Sequence, residues 1–183
     1  RGALKYDHNA DALQIKTAGA EQVRIFSNGV MAVEDGIALG VGIANTSSNV
    51  LDDYEVGTFT PTYVNQAGTQ ASNYTNNSTG QYIKVGKMVW VNVSWSMGTI
   101  SSGPGSLYAG IGGFPFVADG SAGGAPWYTN IDVSDGGATF QISNNYNYGI
   151  FYSQKDNANY DTVSPGAISS NDLFYITFVY KTD

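Results

Sequence analysis

Apolar residues at every second position are the feature that most restricts the fold of this chain. The run MVWVNVSWSM places Val89, Val91, Val93, Trp95 and Met97 on one face, and only Trp90 breaks the polar pattern between them. Because side chains alternate between the two faces of a strand, this spacing predicts a β-strand with one buried face. Runs of this kind are separated by Gly, Asn, Ser or Pro, and the sequence therefore predicts an all-β fold.

Two later runs repeat the alternation. In ATFQIS, Phe140 and Ile142 share a face. The run DLFYITFVYK near the C-terminus places four large side chains on one face, namely Phe174, Ile176, Phe178 and Tyr180. Burial of one such side chain contributes about 1.5–3 kcal/mol, so we expect this last strand to be central to the core.

The N-terminal part has shorter alternating runs. Leu13 and Ile15 form one pair, and Val23 and Ile25 form another. Asn-Gly is the preferred sequence of a type I′ turn, so Asn28 and Gly29 predict a hairpin of that type.

The segment DGIALGVGIA alternates large residues (Ile37, Leu39, Val41 and Ile43) with Gly and Ala. A ribbon this narrow cannot bury itself, whereas several copies wound around a shared axis could. The alternative is a flexible Gly-rich linker.

Charge excludes one class of function. The net charge is -7, and only eight residues are Lys or Arg, so no basic surface is predicted for nucleic acid. The chain has no cysteine, which excludes disulfides and thiolate metal sites. No apolar run approaches the roughly 20 residues of a membrane span.

Three motifs resemble the C-terminal regions of tail and fibre proteins of tailed bacteriophages. The first, within residues 2–33, contains Tyr6, Leu13, Ile15, Glu21, Arg24, Ile25 and Gly29. The second is LDDYEVGTFTP, from Leu51 to Pro61. The third combines GQYIKVG with IGGFPF, at Gly80, Tyr82, Lys84, Gly86, Gly113, Pro115 and Phe116. The resemblance implies a homotrimeric virion fibre with a thin intertwined stem and a broader tip that meets the host surface.

On this basis we expect a β stem over residues 1–50 and a β-sandwich, jelly-roll-like tip over residues 51–183, assembled as a homotrimer. The stretch LDDYEVGTFTPTY would be the joint. Its acidic half would cap the stem, and the half from Thr58 to Pro61 would begin the first strand of the tip. The remainder of the fibre would lie on the N-terminal side.

Catalytic and metal sites are not predicted. Glycoside hydrolysis requires two carboxylates that flank the scissile bond. The Asp residues of this chain mostly adjoin Gly, Asn or Ser, as turn residues do, and we therefore assign them to turns instead of a catalytic pair. His8, the only histidine, lies in the stem, far from the predicted loops. The neighbouring Asp52, Asp53 and Glu55 lack the spacing of a calcium loop. We therefore expect a non-enzymatic protein without a cofactor.

Two long segments rich in Tyr, Trp and Asn, residues 101–130 and 144–167, are predicted as loops, and the parts around residues 119–130 and 144–161 are the predicted binding loops. Aromatic rings stack on sugar faces while amides and carboxylates bind hydroxyls, so these segments predict recognition of a bacterial surface polysaccharide or an outer-membrane protein. The candidate residues are Trp127, Tyr128, Asn130, Asn144, Tyr146, Asn147, Tyr148, Tyr152, Asp156 and Tyr160. For each of them the alternative is packing in the core or between subunits.

The predicted function is host adhesion by a virion fibre. Two alternatives stay open. One is a structural head fibre or capsid decoration protein without a receptor site, and the other is a glycan-cleaving depolymerase.

Overall fold

The computed structural model describes residues 1–39, 50–51, 53–102, 108–133, 137–155 and 159–183. These residues form several antiparallel β-sheets and no α-helix, with a 3₁₀ turn at Pro165–Ala167, so the predicted all-β class is confirmed. The described part of the chain contains no helix that could cross a membrane. Two compact units, Arg1–Tyr54 and Glu55–Asp183, make up the chain. The stem and tip roles, assigned to residues 1–50 and 51–183, stay predictions.

The N-terminal unit contains a four-stranded sheet whose strands are hydrogen-bonded in chain order. They are β1 (Ala3–Asp7), β2 (Ala12–Thr17), β3 (Ala20–Ile25) and β4 (Met31–Val33). Two further strands, β5 (Ile37–Ala38) and β6 (Val50–Leu51), pair with each other. Of the predicted Gly-rich ribbon, Val41 and Ile43 lie outside the described residues.

The two faces of the four-stranded sheet differ in chemistry. Strand register places eight apolar residues opposite one another on one face: Leu4, Ile15, Val23 and Val33 in one row, and Tyr6, Leu13, Ile25 and Met31 in the other. The other face carries Lys5, Gln14 and Arg24 in register, and the Arg24 guanidinium donates to the Glu21 carboxylate, with Nη2 to Oε2 at 2.8 Å. No residue of the apolar rows is buried, and Leu4 is 71% exposed.

The hairpin at Asn28–Gly29 is confirmed, but its predicted turn type is wrong. Strands β3 and β4 pair, and a loop from Phe26 to Val30 is closed by Phe26 N donating to Val30 O at 2.9 Å. Gly29 has φ of +84°, whereas Asn28 does not adopt positive φ, and its Oδ1 instead accepts a hydrogen bond from Val30 N. The two-residue turn with both φ values positive is Ala18–Gly19, between β2 and β3, at +51° and +88°.

We expect Ala18→Asn to raise the free energy of unfolding by up to about 1 kcal/mol, because Asn tolerates the left-handed conformation that an alanine Cβ disfavours. Urea unfolding followed by circular dichroism measures the change. Ala20→Asn, at the first residue of β3, is the matched control. An equal response of the two variants would contradict the assignment of the strain to Ala18.

The C-terminal unit is built from two larger sheets. One has the order β13-β17-β10-β9-β7 and the other the order β12-β14-β15-β11-β8, with β16 paired to β15. The strands of the five-stranded sheet are β7 (Tyr54–Phe59), β9 (Asn73–Val85), β10 (Met88–Ser102), β13 (Trp127–Thr129) and β17 (Leu173–Lys181). Those of the other sheet are β8 (Thr62–Asn65), β11 (Ala109–Gly112), β12 (Ala122–Gly124), β14 (Ala138–Ile142), β15 (Gly149–Ser153) and β16 (Asp161–Thr162).

The predicted strand faces form the core between these sheets. The alternating residues of β10 and β17 are buried, as are Phe140 and Ile142. Rings from the two sheets meet directly, with centroids 5.2 Å apart for both Phe140–Phe178 and Phe151–Phe174. Burial also raises the pKa of Tyr180 to about 12, so its hydroxyl stays protonated and donates to Phe116 O at 3.0 Å.

One expectation about strand positions is confirmed and one is corrected. The last strand, β17, contributes Phe174, Ile176, Phe178 and Tyr180 to the buried core, as expected. The stretch LDDYEVGTFTPTY does not divide into an acidic cap and a strand start. Strand β7 already begins at Tyr54 and includes Glu55, and Pro61 lies where the chain passes from the five-stranded sheet to β8 of the other sheet. Asp52 lies outside the described residues.

The two segments predicted as long loops contain five strands. Strands β11, β12 and β13 lie in the first, and β15 and β16 lie in the second. These strands have two to five residues each, and β11 and β12 consist mostly of Gly and Ala, so their sequences show little alternation. They nevertheless belong to the sheets, and several candidate binding residues therefore stand on strands instead of loops.

Candidate functional site

The candidate binding residues lie in three separate places on the C-terminal unit. Trp127 and Tyr128 are on β13, at the edge of the five-stranded sheet. A second group, Asn144 to Tyr148, precedes β15. Tyr152 and Tyr160 form a third group near β16, and Asp156 lies outside the described residues. Whether any of them binds a ligand stays a prediction.

An open groove of about 550 Å³ is associated with the third group. It lies on the outer face of the second sheet of the C-terminal unit, which has six strands when β16 is counted. Strands β12, β14 and β15 run side by side there. Its lining residues are Ser121, Ala122, Gly123, Gly124, Thr139, Phe140, Gln141, Tyr152, Gln154 and Tyr160.

Two tyrosine rings form the aromatic side of the groove. The centroids of Tyr152 and Tyr160 are 4.9 Å apart, and their planes are inclined by 80°. Strand pairing explains this contact: β15 places Tyr152 opposite Thr162 of β16, and Tyr160 lies two residues before Thr162. Tyr160 is 61% exposed. A ring with this exposure can stack against a flat apolar face of a ligand.

The Tyr152 hydroxyl is a hydrogen-bond donor at the edge of the groove. Burial, and secondarily the nearby phenols of Tyr160 and Tyr108, raise the pKa of Tyr152 above its ordinary value. Tyr152 therefore stays protonated and can donate a hydrogen bond at the edge of the groove.

Amides and hydroxyls provide the polar part of the groove. Phe140 points into the core, so its neighbours Thr139 and Gln141 project from the outer face of β14. Gln154 Nε2 donates to Thr139 Oγ1 at 3.1 Å, which orients both side chains. Gln141 is exposed opposite Gly123, where the lack of a side chain leaves the surface open.

The groove is therefore lined by rings, amides and hydroxyls, and its described lining residues carry no charge. Such a surface suits a neutral ligand with both an apolar face and many hydroxyl groups. Among those lining residues there is no carboxylate pair of the kind that glycoside hydrolysis requires. The nearest ion pair along the sequence joins Lys155 to Asp161, which flank the lining residues Gln154 and Tyr160.

The first group, on β13, combines an exposed ring with a structural one. Trp127 is 60% exposed, and its ring centroid lies 5.5 Å from that of Tyr175 on β17. Tyr128 turns inward instead, and its hydroxyl accepts a hydrogen bond from Ala138 N at 3.2 Å. Asn130 is exposed and has φ of +63°, so the backbone conformation at the end of β13 explains its residue type.

The second group serves largely to hold its own segment in place. Asn144 Oδ1 accepts from Gly120 N at 2.8 Å, and Asn147 O accepts from Phe114 N at 3.1 Å. The Tyr146 and Tyr148 rings are 4.7 Å apart, and the Tyr148 hydroxyl donates to Gln66 O at 3.1 Å. These contacts match the alternative that several of the tyrosines are packing residues.

Sequence reasoning missed Ser121, Thr139, Gln141 and Gln154. The alternation in ATFQIS does place Thr139 and Gln141 on the outer face, so that signal was present for two of them. Nothing in the sequence indicates that this face lies beside Tyr152 and Tyr160, because the register between β14 and β15 decides it.

The residues considered for metal binding have other contacts. Glu55 accepts a hydrogen bond from the Tyr82 hydroxyl, and the His8 ring meets the Tyr6 ring edge-on at a centroid distance of 4.8 Å. Within the described residues, no group of three His, Cys, Asp or Glu side chains could hold a metal ion.

Comparisons of the chain with protein-family models, with curated proteins and with solved structures found no match.

Proposed function

We propose that this chain is the C-terminal part of a bacteriophage virion fibre that adheres to a bacterial surface glycan without cleaving it. The observation that carries the proposal is the groove beside Tyr152 and Tyr160. Its rings would stack on the apolar face of a sugar, and Gln141, Gln154 and Thr139 would bind hydroxyls. The uncharged lining favours a polysaccharide over an outer-membrane protein and favours binding over hydrolysis.

The proposed assembly is a homotrimer with a stem over residues 1–50 and a jelly-roll-like tip over residues 51–183, exposed on the virion. The apolar face of the N-terminal sheet supports assembly. Two rows of apolar side chains, from Leu4 to Val33 and from Tyr6 to Met31, stay unburied by the described residues of their own unit. A sheet normally buries such a face, and a neighbouring copy would bury it.

Trimerisation would also strengthen adhesion. A single groove of this openness would bind a glycan weakly. The host surface would carry many copies of the same glycan, and a trimer would present three linked grooves to it. Once one groove has bound, binding of the second and third grooves is intramolecular, which raises the overall affinity.

Tyr160→Ala is expected to weaken binding of the purified chain to isolated host polysaccharide by about tenfold or more, since the loss of about 1.4 kcal/mol per site changes Kd tenfold. Biolayer interferometry on immobilised polysaccharide measures the change. Tyr160 is mostly exposed, so the variant is expected to fold normally.

Trp127→Ala is the matched control, because Trp127 has nearly the same exposed fraction but lies outside the groove. Unchanged binding by Tyr160→Ala together with a loss by Trp127→Ala would move the site to β13. If the unaltered chain binds no host polysaccharide, the structural alternative, a head fibre or decoration protein, would replace adhesion.

A further inference from the structure

The outer face of the five-stranded sheet carries an apolar surface that the proposed glycan groove does not use. Its members come from four adjacent strands, and register places Ile83 opposite Trp90, Val85 opposite Met88, and Val179 on the other side of Trp90. We call this surface the Trp90 patch, and it consists of Val56, Ile83, Val85, Met88, Trp90 and Val179. All six are exposed, and Trp90 is 59% exposed.

The patch contains a groove of about 520 Å³ between Val56, Ile83 and Trp90. At one end of the groove the side chains become polar but stay uncharged, with Gln81 and Asn92 in register. Asn92 Nδ2 donates to Thr177 Oγ1 at 2.8 Å, so this polar end is already ordered.

The composition of the Trp90 patch is that of an interface core. Protein interfaces concentrate Trp and Met at their centre and exclude charge from it. None of the six members is charged. Lys181, opposite Met88 at the rim, is paired with Asp119.

The size of the patch also matches an interface. The exposed surface of the six residues is on the order of 600 Å², at the upper end of the largest apolar patch of a typical monomer. A stable complex buries about 800 Å² on each partner. The patch with its polar end therefore accounts for most of one side of such an interface.

We infer that the Trp90 patch is a contact between copies of this chain, in which the patch of one copy meets the same patch of its neighbours at the symmetry axis. Charge argues for this occupant. The chain has a net charge of -7, so contact between copies is least unfavourable through a surface that adds no like charges of its own. At a symmetry axis identical residues face each other, and the Trp90 patch has no charge to oppose. The inference rests on the proposed homo-oligomer.

Cysteine cross-linking tests this contact because the chain has no cysteine of its own. The variant Ile83→Cys places one thiol in the patch, and Ser170→Cys places one at an exposed turn before β17 as the control. Each is treated with a short bis-maleimide and separately with a polymer-linked maleimide. We expect Ile83→Cys to give covalently linked chains on a denaturing gel and to react with the polymer at least tenfold more slowly than Ser170→Cys.

A second variant verifies that the links arise from the patch. Adding Trp90→Asp to Ile83→Cys introduces a charge at the centre and is expected to abolish the links, while circular dichroism shows an unchanged fold. The inference is overturned if Ile83→Cys reacts as fast as Ser170→Cys, or if its thiols never become linked.

Light scattering on the untreated chain separates the two proposals. A monomeric mass would overturn the proposed homotrimer, and this contact with it. An oligomeric mass with an accessible thiol in Ile83→Cys would overturn this contact alone and leave the oligomer and the glycan groove standing.

Discussion

Replacing Phe178 by Ala is expected to lower the free energy of unfolding by about 3–5 kcal/mol, the cost of removing a large buried ring whose cavity cannot collapse. Phe178 is 4% exposed, and its ring contacts Tyr180 of its own strand and Phe140 of the opposite sheet. Its centroid lies 5.2 Å from that of Phe140 and 5.4 Å from that of Phe114. The two sheets would therefore lose part of the contact that holds them together.

Urea unfolding at a fixed protein concentration measures this loss, since assembly makes the apparent stability depend on concentration. Phe178→Leu keeps an apolar side chain of similar length and is expected to cost clearly less. Equal losses in the two variants would show that lost apolar volume does not account for the effect, and would contradict the cavity explanation.

Gly110→Val is expected to destabilise the C-terminal unit by about 3 kcal/mol, since overpacking forces the backbone to shift. A Cβ at position 110 would lie 2.2 Å from Gly149 O on the neighbouring strand β15. That oxygen belongs to the backbone, so no side-chain rotation relieves the clash. The same shift would disturb the pairing of β11 with β15.

Gly166→Ala is the control for this substitution. Gly166 does not have positive φ, and the closest atom to a Cβ there is Ser164 Oγ at 3.9 Å, an ordinary contact. Thermal unfolding of both variants should therefore show a large loss for position 110 and little change for position 166. A stable Gly110→Val protein would mean that β11 and β15 are spaced more widely than described.

The strands with long alternating runs could be predicted from the sequence. Val89 to Met97 and Phe174 to Tyr180 are buried at the expected positions, and Trp90 is exposed as its position in the alternation requires. These predictions succeeded because a two-residue period over seven or more positions leaves one choice of buried face.

Short strands could not be predicted in the same way. Strand β11 is AGIG and β12 is AGG, and neither has enough side chains to show a period. Their structure depends on partners that are distant in sequence, such as β8 for β11 and β14 for β12. The turn at Ala18–Gly19 escaped prediction for a related reason, because its conformation follows from the register of β2 and β3 and not from a preferred turn sequence.

By itself the sequence determined the all-β class, the buried faces of the long strands, the low charge and the aromatic residues available for binding. Tertiary structure alone decided which aromatic residues meet. Tyr152 and Tyr160 share a groove with Gln141 because β14, β15 and β16 are neighbours, while Trp127 stands on the other sheet. Local periodicity specifies the face on which a side chain lies, but the pairing of distant strands specifies its neighbours.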